Sequence, residues 1–191
     1  MSHSVGRPTL RERVAAAILE SAAGALAAQG EAASMSDVAA AAGVARATVY
    51  RYFPSREALL EALGRVAVEQ AGDGLAAARL ERVSVDEAFT RAVRALVIVG
   101  DYFVVLARER ARVDPAEFER RIAGVLHDLI RRGQSLGEIR DDIPASWLLE
   151  WFIGSVVSVL GAKPGLGVED TVDAITSLFL DGAGARDSRR G

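Results

Sequence analysis

Residues 34–63 read SMSDVAAAAGVARATVYRYFPSREALLEAL, and this stretch decides the fold. Ser34 is a strong N-cap, and Asp37 three positions later completes a capping-box pattern. Met35, Val38 and Ala42 recur at helical spacing, so the first helix has one apolar face. Gly43 follows, the residue type that best tolerates the left-handed conformation in which many helices end. Val44 plugs the corner. A second helix is expected from about Ala45 to Tyr52, anchored by Val49 and Phe53 one turn apart. Pro54 stops it and Ser55 caps the next helix. Two short helices around a tight turn make a helix-turn-helix.

In such a unit the start of the second helix enters the major groove of DNA. Arg46 occupies that first turn, and its guanidinium can donate two hydrogen bonds to guanine O6 and N7. Thr48, Tyr50 and Tyr52 carry hydroxyls suited to phosphate oxygens, and Arg56 opens the following helix within reach of the DNA backbone. Between Asp37 and Glu57 the chain holds Arg46, Arg51 and Arg56 and no acid, a local balance of +3 on a chain of net charge -3. Helix pairs with a glycine corner also occur in helical proteins that never meet DNA. Spacing alone leaves both readings open.

The residues DVAAAAGVARATVYRYFPSREALL resemble the DNA-binding domain of the TetR family of bacterial transcriptional regulators. The matching pattern is a small-residue pair, AGV, then a short helix closing in Thr, an aliphatic residue, Tyr, two residues and Phe. A Ser, a basic residue and Glu then precede paired leucines. The likeness is strong from about Leu10 to Leu63 and weak beyond. It implies that Ser36, Arg46, Ala47, Thr48, Tyr50, Tyr52 and Arg56 face DNA. Arg56 stands where the family most often has lysine; arginine can grip a phosphate bidentately. Arg46 and Ala47 fall at positions that vary between family members, so the operator cannot be carried over.

Composition frames the rest. The 191 residues suffice for one or two domains, half of them hydrophobic and many of them alanine, a bias toward helix. No stretch sustains strand alternation. An acidic chain, with pI near 5.5, does not coat nucleic acid nonspecifically but permits a local basic patch. With no cysteine there are no disulfides. The N-terminal residues lack the apolar run of a signal peptide, and the apolar stretch at 147–162 contains Glu150 and is expected to fall short of a membrane span. A cytoplasmic protein with no membrane partner is expected.

The remaining chain reads as a series of helices, about nine in total. The expectation is an all-α protein with a three-helix DNA-binding domain over residues 8–54. A larger effector-binding and dimerisation domain is expected over 55–182, with a disordered tail at 183–191. Thr9 and Glu12 begin the first helix, with Leu10, Val14, Ile18 and Ala22 inward. Arg7, Arg11 and Arg13 near its start are either a mobile arm touching DNA or a solvated terminus. The fourth helix is expected to reach about Gln70 and to weaken at Gly72 and Gly74. Ser84 and Glu87 cap the next, and Gly100 divides it from a further piece. Asp114 and Pro115 open another helix, with Phe118, Ile122, Val125 and Leu129 on one stripe.

The helix over 144–161 is apolar around most of its circumference and must be buried on several sides. Gly154 and Ser158 leave room for close approach. In the resemblance the last two helices pair with their copies, which implicates Phe152, Val156, Leu160, Val172, Ile175 and Phe179 in a dimer interface; a monomer core is the competing reading. A twofold-symmetric, palindromic operator needs two recognition helices, which favours the homodimer. Family members commonly release DNA when a small molecule fills the middle domain. Phe89, Tyr102, Phe103, Trp147 and Trp151 are candidate walls for such an unidentified effector, with ordinary core the favoured reading for each. Glu150 either pairs with an arginine, faces solvent or receives a cationic ligand, since an unpaired buried carboxylate is costly.

Neither His3 nor His127 sits in a catalytic pattern, and no cysteine is available, so triads and zinc sites are poorly served. Asp141 and Asp142 read as helix-entrance caps. No enzyme activity and no cofactor or metal is expected. The composite expectation is a homodimeric, ligand-responsive repressor. A regulator without a small effector, and a helical binding protein that never meets DNA, are the alternatives.

Overall fold

The computed structural model describes residues 9–29, 33–109, 111–162 and 165–184. Among these it is all helical: α1 (Leu10–Gln29), α2 (Met35–Ala41), α3 (Arg46–Tyr52), α4 (Arg56–Ala78), α5 (Val85–Ile98) and α6 (Gly100–Arg108) come first. Next is α7, a continuous helix made of Pro115–Phe118, a π-turn at Glu119–Ala123 and Gly124–Ser135. It is followed by α8 (Ala145–Ala162) and α9 (Val168–Ala183).

Local chemistry sets most of the boundaries. The Thr9 hydroxyl accepts from the Glu12 amide at 3.2 Å, and the Glu12 carboxylate accepts from the Thr9 amide at 2.7 Å. Ser34 and Asp37 repeat this reciprocal box at α2, the Ser34 hydroxyl accepting from the Asp37 amide at 3.3 Å and the carboxylate from the Ser34 amide at 2.7 Å. The carboxylate of Glu12 is held below its ordinary value by the Thr9 amide and then hydroxyl, and that of Asp37 by the Ser34 hydroxyl, which donates to it, and then by the Ser34 amide. Gly43 closes α2 at φ +65°, the conformation expected of it.

The first three helices enclose their own core: Ile18, Ala22 and Leu26 of α1, Met35 and Val38 of α2, and Val49 with Phe53 at the end of α3. Leu10, expected inward, is 69% exposed. The fourth helix does not weaken at its glycines but runs through both to Ala78. They are contact points instead. A Cβ on Gly72 would lie 2.9 Å from the Arg121 Cβ, and one on Gly74 would lie 3.1 Å from the Ala95 Cβ. Their missing side chains admit α7 and α5 against α4.

The π-turn corrects the expected stripe on α7. One extra residue in the turn rephases the helix, so Ile122, Leu126, Leu129, Ile130 and Gly133 face inward and Val125 is only half-buried. Against α5 pack α4 and α9, with Phe89, Phe152 and Phe179 in mutual contact at centroid distances of 4.8–5.7 Å. Helix α6 lies where the two halves meet and touches α1, α4 and α8. At the far end, Gly184 bridges Ile139, so the fold extends two residues past the expected domain end; residues 185–191 lie outside the described residues.

Helix α8 carries one charge, Glu150, in 18 residues and is long and apolar enough to cross a membrane, contrary to the expectation that it falls short. One such helix is weak evidence for a span. Here it packs along one side against α5, α6, α7 and α9.

Candidate DNA-binding surface

Helix α3 is held by its inner side alone. Val49 is fully buried and Phe53 nearly so, which turns Arg46, Ala47, Tyr50 and Arg51 outward. Thr48 and Tyr52 are half-buried at the margins, and Ser36 is exposed at the start of α2. Six of the seven expected contact residues thus line one accessible surface with no acid on α3.

Arg46 and Tyr50, one turn apart, are already engaged with each other. The guanidinium lies 5.3 Å from the Tyr50 ring centroid, and its Nη2 donates to the phenol oxygen at 3.3 Å. Tyr52 is flanked by two guanidinium groups, Arg51 at 5.5 Å and Arg11 of α1 at 5.9 Å. Arg51 therefore extends the basic surface beyond the seven expected contact residues, and Arg11 of the expected basic arm joins it. The acid-free stretch contained Arg51; the contribution of Arg11 is tertiary, because it arrives from another helix. Of the proposed arm, Arg13 is exposed and Arg7 lies outside the described residues.

Arg56 is a correction. Its Nε and Nη2 donate to the two Glu109 carboxylate oxygens at 3.2 and 2.6 Å, and its Nη1 donates to the Ala33 carbonyl at 2.6 Å. A guanidinium so occupied, with a carboxylate beside it, is not a free phosphate ligand. Nothing in the local sequence announces Glu109, which stands 53 residues away.

Three of the expected pocket residues lie on the outer side of α8. Trp147 is 72% exposed, Trp151 50% exposed, and Glu150 faces solvent on the same outer side of α8. Phe89 is core, and Tyr102 is buried against the α1 side, where desolvation raises its phenol pKa. Phe103 borders a small apolar cleft of about 30 Å³ with Leu96, Phe118, Ile122 and Ile153. Conversely, Phe152, Val156, Val172, Ile175 and Phe179 are buried within the protomer, and Leu160 packs on Gly100. Helix α8 is apolar around most of its circumference, and the side that faces α5, α6 and α9 is the one buried. On the outer side lies a groove of about 590 Å³ floored by Gly154, Ser155 and Ser158 and walled by Trp151 and Leu178, with Phe152, Ile175 and Phe179 of the expected interface also lining it.

A second, open cleft of about 890 Å³ lies between α4 and the start of α7, over Gly64, Val68 and Val113. It carries Glu61, Arg65, Arg112 and Glu117 on its rim.

Residues 18–63 match the family described as bacterial regulatory proteins, tetR family. Over 177 residues the chain is 32% identical to the HTH-type transcriptional repressor LfrR of Mycolicibacterium smegmatis, covering 90% of this chain and 91% of that one. The crystal structure of LfrR from Mycobacterium smegmatis in complex with proflavine superposes with a TM-score of 0.73 at 28% identity, over 92% of this chain and all of that one. CprB from S. coelicolor A3(2), a TetR family protein, superposes with a TM-score of 0.72 over 95% of this chain and 93% of its own; at 17% identity this likeness concerns the fold alone.

Proposed function

The chain belongs to the TetR family of bacterial regulatory proteins, a transcriptional regulator with an N-terminal helix-turn-helix, and on that premise we propose that it is a homodimeric repressor that binds a palindromic operator and is released by a small-molecule effector. The observation that carries the DNA reading is the α3 surface. Its hydrophobic anchors Val49 and Phe53 are spent inward, and Arg46, Tyr50 and Arg51 are displayed without a competing acid. Arg46 is the base-reading residue, with Ser36, Ala47, Thr48, Tyr50 and Tyr52 around it and Arg11 and Arg51 on phosphates.

Dimerisation follows from the outer face of α8 and α9. Trp147, Trp151 and Leu178 expose large apolar side chains beside a floor of small residues, a surface that a second copy can cover isologously. Effector release rests on the likeness to a regulator crystallised with proflavine. An effector acts by favouring one spacing of the two recognition helices over another. Regulation without an internal small effector is the second reading, and one observation favours it: the apolar cleft beside Phe103, with a volume of about 30 Å³, has room for little more than a single water.

Selection of duplexes from a random pool, followed by a titration of the selected site against salt, tests the DNA reading. The expected result is a site with inverted half-sites bound well above bulk DNA, with a steep salt dependence. Failure to enrich any sequence refutes it.

A further inference from the structure

The junction between the DNA-reading unit and the rest of the chain is held by two consecutive residues at the end of α6. Arg108 Nη1 donates to the Ala27 carbonyl at 3.0 Å and its Nη2 donates to the Gly161 carbonyl at 2.9 Å. Both acceptors lie in the last turn of a helix, α1 and α8 respectively, where carbonyls lack an intrahelical partner. One cation therefore closes the negative ends of two helices that belong to opposite halves of the molecule. Next to it, Glu109 takes Arg56 in a forked pair, and Arg56 reaches on to the Ala33 carbonyl, just ahead of the α2 cap. The pair is largely shielded, with 26% and 14% of the side chains exposed.

Apolar contact between α6 and its neighbours is not directional and tolerates small rotations. Forked, charge-assisted hydrogen bonds are directional. Four bonds from the end of α6 grip α1, the start of α4 and the end of α8, and a fifth, from Arg56 to Ala33, carries the joint on to the entrance to α2. We propose that Arg108 and Glu109 are positioning residues that set the angle of the DNA-reading unit against α8, and through it the spacing of the recognition helices. The consequence for DNA rests on the repressor reading above; the joint itself does not.

The absence of cysteine makes the test direct. Ala40→Cys and Asp128→Cys, both at exposed positions, carry spin labels on α2 and α7. Labelled chain is diluted with unlabelled chain so that only intramolecular pairs contribute, and the distance distribution is measured without DNA. Glu109→Gln, which keeps shape and loses charge, and Arg108→Ala are expected to broaden the distribution by about twofold while helix content stays unchanged. The exchange Arg56→Glu with Glu109→Arg, which rebuilds the ion pair but loses the bond to the Ala33 carbonyl, is expected to narrow the distribution part of the way back, which a merely volumetric role of these side chains does not explain. On a selected operator, Glu109→Gln is expected to weaken specific binding by about tenfold and nonspecific binding far less. Unchanged distance distributions in both Glu109→Gln and Arg108→Ala overturn the proposal. Broadened distributions in a chain that binds no duplex uphold the joint and refute the repressor reading instead.

Discussion

Trp151→Ala separates the two roles that α8 performs. Half of the Trp151 side chain is exposed, and the ring also stacks on Phe179 at 5.6 Å from inside the protomer. Taking roughly 200–250 Å² for the whole side chain, the exposed half leaves about 100–125 Å² for a partner to cover, worth about 3 kcal/mol at ~25 cal/mol per Å². An isologous interface presents the residue twice, so the upper bound on lost association energy is about 6 kcal/mol. Imperfect covering and ordering costs reduce this, and a loss of about 3–5 kcal/mol, or two to four orders of magnitude in dissociation constant, is expected. Sedimentation equilibrium over a range of concentrations reads that shift. Phe179→Ala is the contrasting variant: a fully interior ring whose loss is expected to cost about 3–5 kcal/mol of chain stability in denaturant melts. A Trp151→Ala protein with an unchanged dimer dissociation constant refutes the assignment of the outer face of α8 to self-association.

Arg46→Ala is expected to cost about 1–3 kcal/mol on a selected operator and to relax one base position, as read by titration of single-base variants; an equal loss on every sequence restricts Arg46 to phosphate. Two glycine substitutions are expected to act in opposite directions. At Gly133 a new Cβ overlaps Ile139 and lies 3.3 Å from Val85 Cγ1, so Gly133→Ala is expected to destabilise by about 1–2 kcal/mol despite better helix propensity. Gly24 has nothing within 4 Å of that position, and Gly24→Ala is expected to stabilise by about 0.5–1 kcal/mol; equal shifts in thermal midpoint contradict the packing. Asp37, Glu12 and Glu57 all titrate below their ordinary values, Asp37 through the Ser34 side chain, Glu12 through the Thr9 amide and Glu57 chiefly through its own amide and then Ser55. Depressed carboxylates stabilise the fold above their unfolded values, 3.8 for Asp37 and 4.5 for Glu12 and Glu57, and that stability is lost as pH falls through the folded values. Melts from pH 6 down to about pH 3 are expected to show the decline, with Asp37→Asn flattening part of it; a parallel slope in the variant removes Asp37 from the account.

By itself the sequence determined the helix-turn-helix through its cap, its turn and its buried anchors. Its signals act within a few residues: a reciprocal cap at Ser34 and Asp37, a left-handed Gly43, and two anchors, Val49 and Phe53, whose spacing aims the remainder of α3 outward. Local hydrogen bonds and local periodicity are written in the order of the residues, so they can be read there. Tertiary structure alone decided three other matters. A helix such as α8, apolar on nearly every side, carries no phase that tells core from interface. The neighbours α5, α6 and α9 assign Phe152 and Val156 inward and leave Trp147 and Trp151 outward. One extra residue in the π-turn moved the buried stripe of α7. Arg56, expected on DNA, was claimed by Glu109 from across the chain, because a charge finds its partner through the folded shape and not through sequence distance.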